Sequence, residues 1–411
     1  MPVSTDFKRK VGRNMDIKDV VIVAHGRSAA AKAFKGSFAQ MHPVEYGAQV
    51  LRGVLQKVPQ LDPAEIEDVI TGCAMQFGEA SMNMSRLIVN RAQLPESVCG
   101  VTVNRFCASG LQTIVMAANA IACGQGEVYV AGGVESMSYT LKTYPSYGGA
   151  CDDAWLAENY AGAYMPMGIT AENVAADRGI TRAEMDAFAV ESHRKAAKAQ
   201  AEGKLAPAII PVTVIDRQGH VVRDAQGQPL VITQDEGIRG DTTLEGLAKL
   251  KPCFKPDGVV TAATSSQTND CAAYAVLMSR KRAEELGVAP LAKIRSFAVA
   301  GCDATRMGLG PVYAVPKALQ RAGLTVADMD TIEINEAFAA QAIPCCRELG
   351  FDMDKVNPYG GALALGHPLG CTGAVLVGKA IDYLRETGGR YGLITMCIGG
   401  GMGAAGVIEV L

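Results

Sequence analysis

Two distant stretches of the chain can be laid over one another, and this repeat limits the available folds more than any other feature. "VNRFCASGLQTIVMAANAIACGQGEVYVAGGVESM" and "VNPYGGALALGHPLGCTGAVLVGKAIDYLRETGGRYGLITMCIGGGM" each run from Val-Asn through a turn of small residues into an apolar helix. Each then continues through a short glycine-containing loop and an apolar strand to a glycine-rich end. Upstream, "LDPAEIEDVITG" and "LTVADMDTIEINEA" stand in matching places, each a leucine-led helical turn feeding a strand. The period is far too long for a solenoid, so the pattern predicts a duplicated α/β domain whose two copies pack face to face.

Periodicity adds detail. It places strands at "DVVIVAH", "DVITGCA", "GVTVNRF", "EVYVAGG", "LAKIRSFAVAG", "TIEINEA", "GLITMCIG" and "AGVIEV", with helices such as "PVEYGAQVLRGVLQKV" and "GLQTIVMAANAIACG" between them. Strands this apolar, with little alternation, belong in a sheet covered on both faces. With 411 residues, 49% of them hydrophobic, the chain is long enough for more than one domain. One half is assigned to residues 1–138, completed by about 263–289, and the other to 290–411. Between them, 139–262 holds the charged helical sequence "TRAEMDAFAVESHRKAAKAQAEGK" and the polar "DRQGHVVRDAQGQPL". An insertion on a rigid scaffold is expected to lie over the ligand site, since loops carry specificity.

Composition removes several classes of function. Lys plus Arg number 39 against 42 Asp plus Glu, a net charge of -3 that offers no field to draw in nucleic acid or an anionic membrane. No window approaches eighteen uninterrupted apolar residues, and "MPVSTDFKRKVGRNMD" lacks the apolar stretch of a secretory signal, so the expectation is a cytoplasmic protein. The 12 cysteines are too sparse for a disulfide scaffold, and none has the partners of a zinc site. No metal is expected. Cys73, Cys123 and Cys271 sit among Ala, Val and Gly and read as small core residues.

Cys107 reads differently. It follows a strand and stands at the mouth of a buried helix, where free backbone N–H groups and the helix dipole favour a thiolate and lower the thiol's pKa. Of five histidines, His367 alone occupies the place in the second repeat that mirrors Cys107 in the first, so symmetric packing would set a base opposite a nucleophile. Cys397 ends a strand and runs into three glycines that permit close backbone approach to a ligand. Asn335 in "EINEAFAAQ" either caps a helix or holds a water in the site. "GMGAAG" fits a dinucleotide fingerprint by letters only, because the chain ends too soon after it to supply the helix and acidic residue such a site needs.

Taken together, "NRFCASGLQ", "NEAFAAQ", "GGALALGHPLGCTGA" and "CIGGGMGAAG" resemble the thiolase family, and "MPMGITAENVA" and "TAATSSQTNDCAA" extend the likeness over nearly the whole chain. The resemblance implies a layered αβαβα core of two similar domains with an inserted loop domain, a homodimer or homotetramer, and no cofactor beyond coenzyme A as substrate. It implies that Cys107, activated by His367, attacks a 3-oxoacyl-CoA, and that Cys397 serves as acid and base for acetyl-CoA and CoA. It assigns one oxyanion site to His367 with a water on Asn335, and another to the backbone N–H groups of Cys107 and Gly399. It matches Ser266 to a pantetheine contact, Arg239 to the adenosine end, and Met167 and Phe338 to the pocket wall. Pro166 before Met167 and the wording of "NRFCASGLQ" are closer to degradative than to biosynthetic members. An acetyl-CoA acetyltransferase forming acetoacetyl-CoA is the alternative, and a decarboxylating ketosynthase and a non-catalytic CoA or lipid carrier are remoter ones.

Overall fold

Valine, isoleucine and alanine fill the strands at the centre of the molecule, and several of these runs are buried from end to end. The computed structural model describes residues 20–143 and 152–411; the basic start of the chain lies outside them. The long strands are β1 (Val20–Arg27), β2 (Ile66–Gly72), β3 (Cys99–Val103), β4 (Val128–Ser136), β5 (Asn269–Ser279), β6 (Ala292–Gly301), β7 (Thr331–Ile334), β8 (Tyr391–Ile398) and β9 (Met402–Val410). They form one sheet in the order β7-β8-β9-β6-β1-β5-β4-β2-β3, with the two-residue strand Ala31–Lys32 beside β5.

The duplication is visible in this topology. Outward from the centre, β1, β5, β4 and β2 join by two antiparallel steps and one parallel step. On the other side β6, β9, β8 and β7 repeat the same sequence of steps. β3 lies parallel to β2, and a parallel bridge from Ile332 to Val356 stands in the corresponding place beyond β7. The two halves meet edge to edge as well as face to face: β1 and β6 pair at Ile22 and Ala292. Each strand would otherwise leave a row of backbone groups unpaired in the interior.

The helices that matter below are α1 (Pro43–Leu55), α2 (Ser109–Ala122), α3 (Met167–Arg178), α4 (Arg182–Ala201), α5 (Gly310–Ala322), α6 (Ala339–Leu349) and α7 (Leu369–Thr387). A central apolar layer joins Leu111 and Ile114 of α2 and Leu376 and Val377 of α7 to Ala131 and Leu277 of one half-sheet and Met396 and Ile408 of the other. On the outer faces, Val69 and Tyr274 pack under α1, and Leu393 and Val407 under α5 and α6. Helix and sheet layers therefore alternate as αβαβα. In the middle layer α2 and α7 cross with their backbones touching, and a Cβ placed on Gly373 would stand 2.2 Å from the amide nitrogen of Leu111. Only glycine fits there.

Some elements were not legible. β5 is absent from the periodicity reading although it lies near the middle of the sheet, because the unbroken run "CAAYAVLM" carries no period of two and reads equally as buried helix. Cys123, expected in the core, is exposed at the end of α2, whereas Cys73 and Cys271 are buried as expected. The intervening segment is tied to β1 by a buried ion pair, Arg27 reaching both carboxylate oxygens of Asp235 at 2.6 and 2.8 Å. Asp235 also accepts from the Ala30 N–H at 2.8 Å. With that second bond the acid's oxygens are well partnered, as a buried charge requires.

Candidate active site

The chain between β3 and α2 makes a tight turn secured by its own residues. Asn104 Oδ1 accepts from the Phe106 N–H at 2.8 Å, and Ser109 Oγ accepts from the Arg105 N–H at 2.8 Å while donating to the Phe106 carbonyl at 2.7 Å. This holds Phe106 at φ +44°, a left-handed conformation costly for a bulky side chain. Cys107 follows, in the middle of a 3-10 turn and nearly enclosed. Its thiol departs from the expectation: burial pushes it up to about 11, against the opposing pull of the Gly399 and Cys107 backbone N–H groups. Loss of hydration outweighs the helix-end field, so the resting group is a neutral thiol.

The turn before α7 is longer and is held from outside. After the short helix Ala362–Leu365, Gly366 sits at φ +91°, where a Cβ would lie 1.9 Å from Asn269 Oδ1. The His367 N–H donates to the Gln267 carbonyl at 3.0 Å. Its ring is fixed at both nitrogens, with Nδ1 2.7 Å from Thr372 Oγ1 and Nε2 3.3 Å from Asn335 Nδ2. Burial alone pushes this imidazole down to about 4, so it is neutral at ordinary pH and able to take a proton.

Two buried carboxylates anchor the surroundings. Glu336 accepts from Ser192 Oγ and Asn357 Nδ2, both at 2.7 Å, and from the Leu363 N–H at 3.2 Å. Glu135 on β4 accepts from the N–H groups of Ala74 and Gly370, both at 2.8 Å, and of Met75 at 3.1 Å. Burial raises the Glu135 carboxyl to about 7.

At the end of β8, Cys397 is fully buried, and burial first, then the nearby Cys107, push its thiol well above the ordinary range. Gly399 aims its N–H at the Cys107 sulfur, and a Cβ on it would lie 3.6 Å from Met167 Sδ and 3.9 Å from the Phe106 ring. Asn335 is tied to β8 through its N–H to the Thr395 carbonyl at 2.9 Å, and its Oδ1 is buried with no hydrogen-bond partner among the described residues. The turn bearing Cys107 packs on α7 and on β8, with Cys107 beside Cys397 and Gly399, while Asn335 joins His367 to β8 two residues before Cys397.

The remaining candidates are ranged around these residues. Phe338 is buried in the same apolar group as Cys397 and Met167, paired with Ser265 and edge-on to Phe254 at 6.0 Å between ring centres. Ser266, half-buried, donates its N–H to the Ala337 carbonyl at 2.9 Å. Arg239 stands apart: its side chain is exposed on the intervening segment, and its N–H donates to His193 Nδ1 at 3.1 Å. The sequence reading missed Thr372 and Glu135. The one faint signal for either is that Thr372 closes the motif "GHPLGCT", while Glu135 is a lone acid in an apolar strand.

Both halves of the chain match known domains: residues 20–281 match the thiolase N-terminal domain, and residues 288–410 the thiolase C-terminal domain. The chain belongs to the thiolase family. It is similar to the 3-ketoacyl-CoA thiolase of Bacillus subtilis (strain 168), 47% identical over 395 residues that cover 96% of this chain and 100% of that one. It is also similar to the peroxisomal 3-ketoacyl-CoA thiolase of Homo sapiens, 46% identical over 394 residues, with 95% and 91% covered. Among solved structures, the Bacillus anthracis acetyl-CoA acetyltransferase superposes with a TM-score of 0.85 at 38% identity, covering 95% of this chain and 98% of that one.

Proposed function

We propose that this thiolase cleaves 3-oxoacyl-CoA with CoA, giving acetyl-CoA and a shortened acyl-CoA through an acyl group carried on Cys107. The observation that carries the reading is the approach of two buried thiols from different halves, with the Gly399 N–H facing the Cys107 sulfur. One thiol suffices for acyl transfer. Carbon–carbon cleavage also needs a group that protonates the departing carbon, and the burial of the second thiol near the first supports that role for it.

In the first half-reaction His367 takes the proton of Cys107 as its sulfur attacks the 3-keto carbon. The resulting oxyanion is stabilised by the N–H groups of Cys107 and Gly399. The bond between C2 and C3 then breaks, and the acetyl-CoA enolate, held by His367 and by a water on Asn335, is protonated by the Cys397 thiol. In the second half-reaction Cys397 takes the proton of incoming CoA, whose sulfur removes the acyl group from Cys107, and the released Cys107 sulfur takes its proton back from His367. Ser266 and Arg239 are assigned to the pantetheine and adenosine ends of CoA, segment 139–262 to the cover over it, and Met167 and Phe338 to the acyl pocket.

The names of the 3-ketoacyl-CoA thiolases and Pro166 before Met167 favour degradation. The structural likeness to an acetyl-CoA acetyltransferase supports synthesis of acetoacetyl-CoA as a second reading. Thiolysis rates across 3-oxoacyl-CoAs of increasing length decide between them. Efficient cleavage of chains longer than acetoacetyl-CoA is expected, and activity confined to acetoacetyl-CoA would overturn the first reading. We assign the protein to the cytoplasm, as its composition suggests, and to a homodimer or homotetramer. The open edge of β3, with Val101 exposed, supports association.

A further inference from the structure

His367 has a partner that the catalytic scheme leaves unused. Thr372 is the fourth residue of α7 and is almost wholly buried, and its hydroxyl lies 2.7 Å from His367 Nδ1. On the opposite side of the ring, Nε2 faces the amide nitrogen of Asn335 at 3.3 Å. An N–H donor on that side makes Nε2 the acceptor, so the ring proton belongs on Nδ1, where the threonine oxygen receives it.

We propose that Thr372 is a positioning residue for His367, holding the imidazole so that the lone pair on Nε2 points into the site and the proton stays on Nδ1. The proposal rests on the reading of His367 as the base.

Three observations give the contact its force. The threonine cannot drift, because the first turn of α7 is fastened by Glu135 at the Gly370 N–H and by the backbone crossing at Gly373. Its β-branched side chain has few rotamers in a helix. Its hydroxyl is also uncharged. A carboxylate in the same place, as in a serine–histidine–aspartate triad, would favour the imidazolium and draw the ring's pKa upward. Beside the hydroxyl the ring stays at about 4, set by burial, and so remains an unprotonated base across the working range.

The test compares the near-isosteric Thr372→Val with Thr372→Ser and His367→Ala in the full-length enzyme. The readouts are single-turnover acylation of Cys107 by acetyl-CoA, steady-state kcat and KM for thiolysis of acetoacetyl-CoA, and thermal unfolding. Thr372→Val is expected to slow acylation and kcat on the order of tenfold to a hundredfold, the scale of a misaligned reacting group. KM should stay within about twofold of the parent, and Thr372→Ser, which restores the hydroxyl, should recover most of the rate. Parental acylation by Thr372→Val, or equal impairment of the Val and Ser variants at unchanged unfolding temperature, would overturn the proposal. His367→Ala separates the two levels of the argument. If it turns over normally, the base assignment fails and the proposal with it; if it is dead while Thr372→Val is unaffected, only the positioning role fails.

Discussion

The turn into α2 and the turn into α7 occupy equivalent places in a duplicated scaffold, yet they are built on opposite plans. The first is short, strained at Phe106 and secured by Asn104 and Ser109, members of the turn itself. The second is longer and is held by remote residues: Gln267 at the His367 N–H, Glu336 at Leu363, Glu135 at Gly370 and Asn269 against Gly366. The backbone of the Cys107 turn is thus set mainly by its own residues, with one remote tie from Asn104 Nδ2 to the Ala74 carbonyl, and that of the His367 turn mainly by distant parts of the chain. Damage to the fold should reach the base before it reaches the nucleophile.

The most severe test of that contrast is Cys107→Ser. It removes the reacting sulfur without disturbing a turn held by its neighbours, so thiolysis should fall by at least about a thousandfold. The denaturant midpoint should match the parent. A shifted midpoint would mean that the first turn also depends on the wider fold.

Gly366→Ala attacks the second turn instead. Its methyl would meet Asn269, at a φ that only glycine adopts freely, and overpacking of this kind costs about 1–3 kcal/mol. Both the unfolding midpoint and the acylation rate should drop. Lost activity at full stability would show that the His367 turn is more self-contained than its contacts imply.

The last test leaves the chain unaltered and concerns ionisation. Because burial raises the Cys107 thiol to about 11, thiolate is scarce at neutral pH and grows as pH rises toward that value. Alkylation by iodoacetamide should climb by about tenfold per pH unit between pH 6 and 9, and substrate should block it. A plateau already reached at pH 7 would indicate a preformed thiolate–imidazolium pair.

Much of this was readable from the sequence because the repeat supplies an internal reference. Cys107 and His367 are each unremarkable alone, and only their matching places in two copies of one pattern set them apart. Cys397 was visible through the glycine run it enters and through family likeness. What could not be read depends on three-dimensional neighbours. The rise in the Cys107 pKa comes from enclosure, and no local pattern in "NRFCASG" reports it. Glu135 reaches Gly370 across the chain, so its strand looks like any other buried strand. β5 escaped because its side chains are covered on both faces, which removes the alternation a half-exposed strand would show.

The crossing of α2 and α7 has a consequence for how such a chain can be divided. Because the two helices share one layer between the half-sheets, severing the connection after β5 would give fragments that each bare a broad oily surface, the first keeping Cys107 alone of the reacting groups and the second lacking it. Neither piece would survive as an independent unit. Although its topology was doubled, the protein must fold as a single body.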